Sequence, residues 1–181
     1  MISGGKILMN FVEKTIGKKS IYEGKIINLN LLKVKLPNGK ESNREIVNHP
    51  GGVAILTYKD QDTLIMVEQF RKPFERMVLE IPAGKLEKGE DPETCGKREL
   101  EEETGYKSKN FNYLGKIITS PGFCDEIIYI YEARDLYKGR DDIGDEDEFI
   151  NLKEIKIDRI KDMIKSGDIE DAKTVSSFMF I

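Results

Sequence analysis

Hydrophobic and polar positions alternate along this 181-residue chain in short runs separated by turn residues, the pattern of β-strands more than of helices. Residues 13–49 read as β-rich, with Pro37-Asn38-Gly39-Lys40 predicting the turn of a hairpin. In its first arm Ile27, Leu29 and Leu31 share one phase and Leu32, Val34 and Leu36 the other, so a bulge is expected at Leu31-Leu32. Residues 52–58 and 63–70 are near-continuous apolar runs about a polar turn at 59–62, which predicts central, buried strands. A short strand at 78–81 should end where Pro82-Ala83-Gly84 turns the chain. Further strands are predicted at 111–118, 127–131 and 149–152. Helical spacing, as of Ile160, Met163 and Ile164, predicts helices at 158–165 and 171–180.

One helix, at 91–104, differs from the rest. Asp91 is a candidate N-cap, Pro92 fits the first helical position and Gly105 fits a left-handed stop. At about 100° per residue, Glu99, Glu102 and Glu103 share one face while Glu101 points away. Like charges at that spacing repel one another, and a divalent cation turns the repulsion into coordination. Hard oxygen ligands suit Mg²⁺ or Mn²⁺. Cys95 and Gly96, one turn earlier on the same face, are small enough to admit the backbone of a neighbouring loop.

Composition narrows the classes. A hydrophobic share of 39% and a charged share of 34% are those of a globular protein, and the length fits one domain. No apolar run approaches the roughly 20 residues of a membrane span, and the first ten residues lack signal-peptide features, so a cytoplasmic protein without membrane contact is expected. A net charge of −4 argues against nucleic acid as a partner. Cys95 and Cys124 read as reduced core thiols, and His49, entering a turn, as structural. Residues 138–148 are strongly acidic, which by itself describes a solvated loop.

Gly84, then Glu90 after five residues, then Arg98-Glu99-Leu100-x-Glu102-Glu103-x-Gly105-Tyr106 after seven more, resembles the full signature of the Nudix hydrolases. The likeness extends from about residue 14 to 180 and is greatest to the bacterial ADP-ribose pyrophosphatase group. It is carried by Arg44-Glu45-Ile46-Val47, Glu68-Gln69-Phe70-Arg71, Glu80-Ile81-Pro82-Ala83-Gly84, Ser120-Pro121-Gly122-Phe123, Asp125-Glu126 and Asp147-Glu148-Phe149. Pro121, about fifteen residues beyond the motif, is that group's marker for ADP-ribose.

The resemblance implies an α/β fold, the Nudix α/β/α sandwich with a mixed sheet at 49–181. It is preceded at 1–48 by an N-terminal antiparallel β-sheet used in dimerisation. It implies Mg²⁺-dependent hydrolysis of ADP-ribose to AMP and ribose 5-phosphate, with Mn²⁺ a possible substitute, by a homodimer. Glu99, Glu102, Glu103 and the Ala83 carbonyl would hold metal, and Arg98 would brace Glu90. The water-activating base would be Glu148, with Glu146 second and Glu102 completing the catalytic acids. Arg71 is the expected pyrophosphate clamp, Arg44 a further one, and Pro121 and Gly122 would line the substrate site. Tyr22 or Phe11 could stack on adenine. Two alternatives stand beside this: a pyrophosphatase for another nucleoside diphosphate sugar, and a catalytically silent ADP-ribose-sensing domain.

Overall fold

The computed structural model describes residues 11–140 and 149–181. Its described residues form two compact units, one of residues up to His49 with Ser120–Asp125, the other of Pro50–Thr119 and Glu126–Ile181.

The first unit is an antiparallel sheet of β1 (Lys14–Glu23), β2 (Asn28–Lys35) and β3 (Glu41–Asn48), in that order. The predicted turn is present: the Gly39 amide donates to the Leu36 carbonyl at 2.9 Å, and Gly39 has φ of 83°, a backbone region that favours glycine. The expected slip at Leu31-Leu32 is absent. Both residues pair in unbroken register with β1 and β3, and the irregularities lie instead on β1, between Thr15 and Gly17 and between Ser20 and Tyr22. Leu29, Leu31 and Leu32 are all half-buried, so β2 carries apolar side chains on both faces without changing phase. The 120–125 loop docks on β3, where the Val47 amide donates to the Phe123 carbonyl and the Asp125 amide to the Val47 carbonyl.

The second unit is built on seven strands, β4 (Gly52–Tyr58), β5 (Thr63–Arg71), β6 (Arg76–Glu80), β7 (Ala83–Lys85), β8 (Tyr106–Ile118), β9 (Ile127–Lys138) and β10 (Ile150–Lys156). The order is β10-β5-β4-β9-β8, with β6 on β5 and β7 on β4. β4 and β9 run parallel and the other pairs antiparallel, so the sheet is mixed. Strands β8 and β9 extend well past the predicted 111–118 and 127–131, because polar and charged residues continue the ladder beyond its apolar part. Their pairing, not their hydrophobicity, sets their length.

Strand β4 shows why the sheet is covered twice. Ala54, Leu56 and Tyr58 enter one core with Ile160 and Ile169, and Val53 and Ile55 enter another with Cys95, Leu100 and Tyr131. A run buried on both faces needs a layer on each. α1 (Pro92–Thr104) supplies one layer; α2 (Ile157–Ser166) and α3 (Ala172–Ser177), followed by a 3₁₀ turn at Phe178–Phe180, supply the other. The architecture is the expected α/β/α sandwich.

Candidate active site

The site begins with the ends of α1. Asp91 accepts hydrogen bonds from the Glu93 and Thr94 amides at 3.1 Å, satisfying two of the orphan donors of the first turn. At the other end Gly105, at φ of 73°, returns its amide to the Glu101 carbonyl at 2.9 Å. Cys95 and Leu100 are buried against the sheet and fix the helix's rotation. The thiol of Cys95 is pushed up to about 12 by burial, with the neighbouring Glu90 charge adding to it, so it is an inert filler of the core.

With α1 so held, two of its acids are tied to the start of β7. Glu103 is 3% exposed and its Oε2 accepts the Ala83 amide at 2.8 Å. Glu99 lies over Gly84: a Cβ there would fall 1.8 Å from the Glu99 carboxyl carbon, so only glycine leaves room for the carboxylate. The resemblance gives Ala83 a role through its carbonyl; the bond seen here is made by its amide.

Arg98 joins the remaining charges. Its Nε and Nη2 each donate to Glu90 at 3.0 Å, and its Nη1 donates to Glu99 at 2.8 Å and to Glu102 at 2.7 Å. The hydrogen bonds from Arg98 hold the Glu90 carboxyl down at about 2, and those to Glu90, with burial opposing, raise the guanidinium above its usual value. One guanidinium edge thus braces the 84–90 loop against the helix while the other lies between two acids.

Among the described residues no three Asp, Glu, His or Cys side chains are gathered closely enough to enclose a metal ion. Arg98 explains this for Glu99 and Glu102, whose carboxylates converge on its Nη1. The donor set nevertheless fits a hard divalent ion. Three carboxylates lie within one helical face: Glu99 is seated over a glycine and shares the Arg98 guanidinium with Glu102, and Glu103 accepts a backbone amide. Glu102 also faces Arg140, whose Nη1 lies 3.8 Å from Oε1 and whose Nε is buried without a partner among the described residues.

Arg71, at the end of β5, is half-exposed and makes a two-pronged bond to Glu80 through Nε at 2.7 Å and Nη2 at 2.6 Å. The Glu80 bond is the main cause raising its guanidinium above the ordinary value, and the charge of Glu103 contributes, so Arg71 feels the acid helix. Glu80 is 2% exposed. Burial pushes its carboxyl up, and bonds from Arg71 and Lys173 more than reverse this, leaving it below the ordinary range. The Glu80–Lys173 pair escaped sequence reasoning because its members stand 93 residues apart and neither belongs to a motif.

The other expected substrate residues lie in the first unit. Arg44 makes a paired bond to Glu13, at 2.9 and 2.6 Å, and bonds Ser42 and the Asn43 carbonyl. Pro121 and Gly122 are exposed in a turn closed by the Phe123 and Cys124 amides on the Ser120 carbonyl. Asp125 accepts from the Asn48 side chain at 2.6 Å and the His49 amide at 2.8 Å, which anchors that turn. Glu146 and Glu148 lie outside the described residues.

Known proteins resemble this chain over most of its length. The NUDIX domain model matches residues 48–178, and the model of the nucleoside diphosphate sugar hydrolase N-terminal domain matches residues 13–47. The chain is 48% identical to the methanol dehydrogenase activator of Bacillus methanolicus over 94% of this chain and 93% of the relative. It is also 48% identical to the ADP-ribose pyrophosphatase of Bacillus subtilis, over 93% and 92%. It is 36% identical to the GDP-mannose pyrophosphatase of Yersinia pestis, over 73% and 71%. A crystal structure of an ADP compounds hydrolase superimposes with a TM-score of 0.81 at 21% identity, covering 93% of this chain and 91% of that one. The complete acid motif, its seating on Ala83 and Gly84 of β7 and the matched models lead to one conclusion: the chain belongs to the Nudix hydrolase family.

Proposed function

We propose that this enzyme hydrolyses the pyrophosphate bond of ADP-ribose, giving AMP and ribose 5-phosphate, with Mg²⁺ as cofactor and Mn²⁺ as a working substitute. The observation that carries the reading is the acid face of α1, held to Ala83 at the start of β7 by Glu103 and cradling Glu99 over Gly84. The relative of Bacillus subtilis named for this activity supports the choice of substrate.

Glu99, Glu102, Glu103 and the Ala83 carbonyl would hold the metal, which when bound neutralises the pyrophosphate charge that repels a nucleophile. The chain's own residues do the rest. Arg71 grips pyrophosphate oxygens with the guanidinium edge that Glu80 leaves free, and Arg44 offers a second grip. Pro121 and Gly122 are further candidates for substrate contact. Glu148 takes the proton of the attacking water as its oxygen bonds to phosphorus and the bridging P–O bond breaks, and Glu146 is the second candidate. Arg98 keeps Glu90 and the 84–90 loop in place, orienting the acids.

In this reading residues 1–48 serve dimerisation and residues 49–181 catalysis, in a cytoplasmic homodimer. Strand β1 and its flanks support the assignment: nine of the ten strand residues are exposed, Ile21 and Tyr22 among them expose half or more of their surface, and so do the flanking Phe11, Val12 and Ile26. A partner would bury such an edge. Tyr22 or Phe11 would then be available to stack on adenine. No described helix is long and apolar enough to cross a membrane.

A second substrate reading, another nucleoside diphosphate sugar, is favoured by the similarity to GDP-mannose pyrophosphatase. The complete acid set weighs against a silent sensor. Incubation with ADP-ribose and Mg²⁺ should yield equal amounts of AMP and ribose 5-phosphate by chromatography, and chelation should abolish both. Binding of ADP-ribose without products would favour the sensor.

A further inference from the structure

The C-terminal helix α3 reaches the site through two arms. In the first, Lys173 Nζ donates to Glu80 Oε2 and to Asp171 Oδ1, the latter at 3.0 Å. Lys173 and Glu80 are nearly closed to solvent, with side chains 11% and 3% exposed, whereas Arg71 remains 38% exposed. In the second, Thr174 Oγ1 accepts the Ile81 amide at 3.0 Å and itself donates to Asp171 Oδ2 at 2.6 Å. Asp171 also caps the helix through the Thr174 amide.

The charges balance, two carboxylates against two cations, and the order of burial decides the roles. A carboxylate as buried as Glu80 requires every one of its bonds, so it sits where Lys173 and the β6 backbone put it. Arg71 then has its Nε–Nη2 edge fixed by a two-pronged bond and its Nη1 edge left for a ligand. Removing Lys173 leaves Glu80 one cation short, so its carboxylate and the Arg71 edge bonded to it lose their fixed orientation.

We propose that Lys173 is a positioning residue: through Glu80 it sets the orientation in which the Arg71 guanidinium meets the substrate pyrophosphate. The inference rests on reading Arg71 as the pyrophosphate clamp. It makes α3, distant in sequence from the Nudix motif, part of substrate recognition. The Thr174–Ile81 arm anchors the same helix two residues before Ala83, whose amide holds Glu103.

The test is steady-state kinetics with ADP-ribose, or with whichever nucleoside diphosphate sugar the wild type turns over fastest. Lys173→Met should raise KM about tenfold and leave kcat within about twofold, and Lys173→Arg should restore KM. Arg71→Ala should raise KM at least as far, and adding Lys173→Met to it should change nothing more, because the effect passes through Arg71. Should Lys173→Met fold poorly, Glu80→Gln, which keeps the side-chain volume, should give the same KM-selective loss. If Arg71→Ala raises KM while Lys173→Met and Glu80→Gln do not, positioning is refuted and the clamp survives. If Arg71→Ala leaves KM unchanged, the clamp reading fails and the inference with it. A double variant worse than Arg71→Ala alone would show Lys173 acting by another route and would also overturn the proposal.

Discussion

Gly84 and Glu99 occupy space that a single methyl group would fill: the Cβ absent from Gly84 would lie 1.8 Å from the Glu99 carboxyl carbon. The glycine of the motif is therefore required for the position of an acid fifteen residues later. Gly84→Ala must expel the Glu99 carboxylate from its seat. Metal affinity, read as Mn²⁺ binding by electron paramagnetic resonance, should fall about tenfold or more, the scale set by lost orientation of a ligand. Unchanged Mn²⁺ binding would remove Glu99 from the ligand set.

Glu103→Gln separates charge from structure at one atom. The amide oxygen of glutamine can still accept the Ala83 N–H, so the melting temperature should remain within a few degrees of wild type. Turnover should fall by about a hundredfold or more, as expected when charge stabilisation at the reacting phosphate is lost. A normal rate would show that Glu103 serves only to hold the start of β7.

The Arg98–Glu90 brace carries a pH signature. Hydrogen bonds from Arg98 lower the folded-state pKa of Glu90 from the ordinary 4.5 to about 2. A depressed carboxylate adds stability that is complete above the unfolded value and is lost as pH falls through the folded one. The stability difference between wild type and Glu90→Gln should accordingly be constant above about pH 5 and shrink steadily below 4.5. A difference that does not change between pH 6 and 3 would contradict the brace.

Much of the site was legible because its parts are local. The spacing of Glu99, Glu102 and Glu103, the Asp91 cap and the Gly105 stop are all set within one helix, and α1 begins and ends where they predict. The near-continuous apolar run of β4 likewise announced a strand buried on both faces. What escaped depends on distant pairing. The lengths of β8 and β9 follow from their partner ladder, and the predicted bulge at Leu31-Leu32 fell on β1 instead, since two adjacent leucines can be half-buried on opposite faces of a straight strand. Arg71's bond to Glu80 and that of Glu80 to Lys173 join three elements, β5, β6 and α3, that no short-range pattern connects.

The base assignment is open to a direct comparison. Glu148→Gln should reduce kcat about a hundredfold or more with KM little changed, and Glu146→Gln should reduce it much less, as positioned proton transfer contributes on that scale. The reverse ranking would make Glu146 the base.

Substrate preference is read from kcat/KM across ADP-ribose, GDP-mannose and NADH, each with Mg²⁺ and with chelator. ADP-ribose should be preferred by at least about tenfold, and every rate should vanish without the metal. ADP-ribose turned over no faster than GDP-mannose or NADH, or hydrolysed undiminished in chelator, would contradict it.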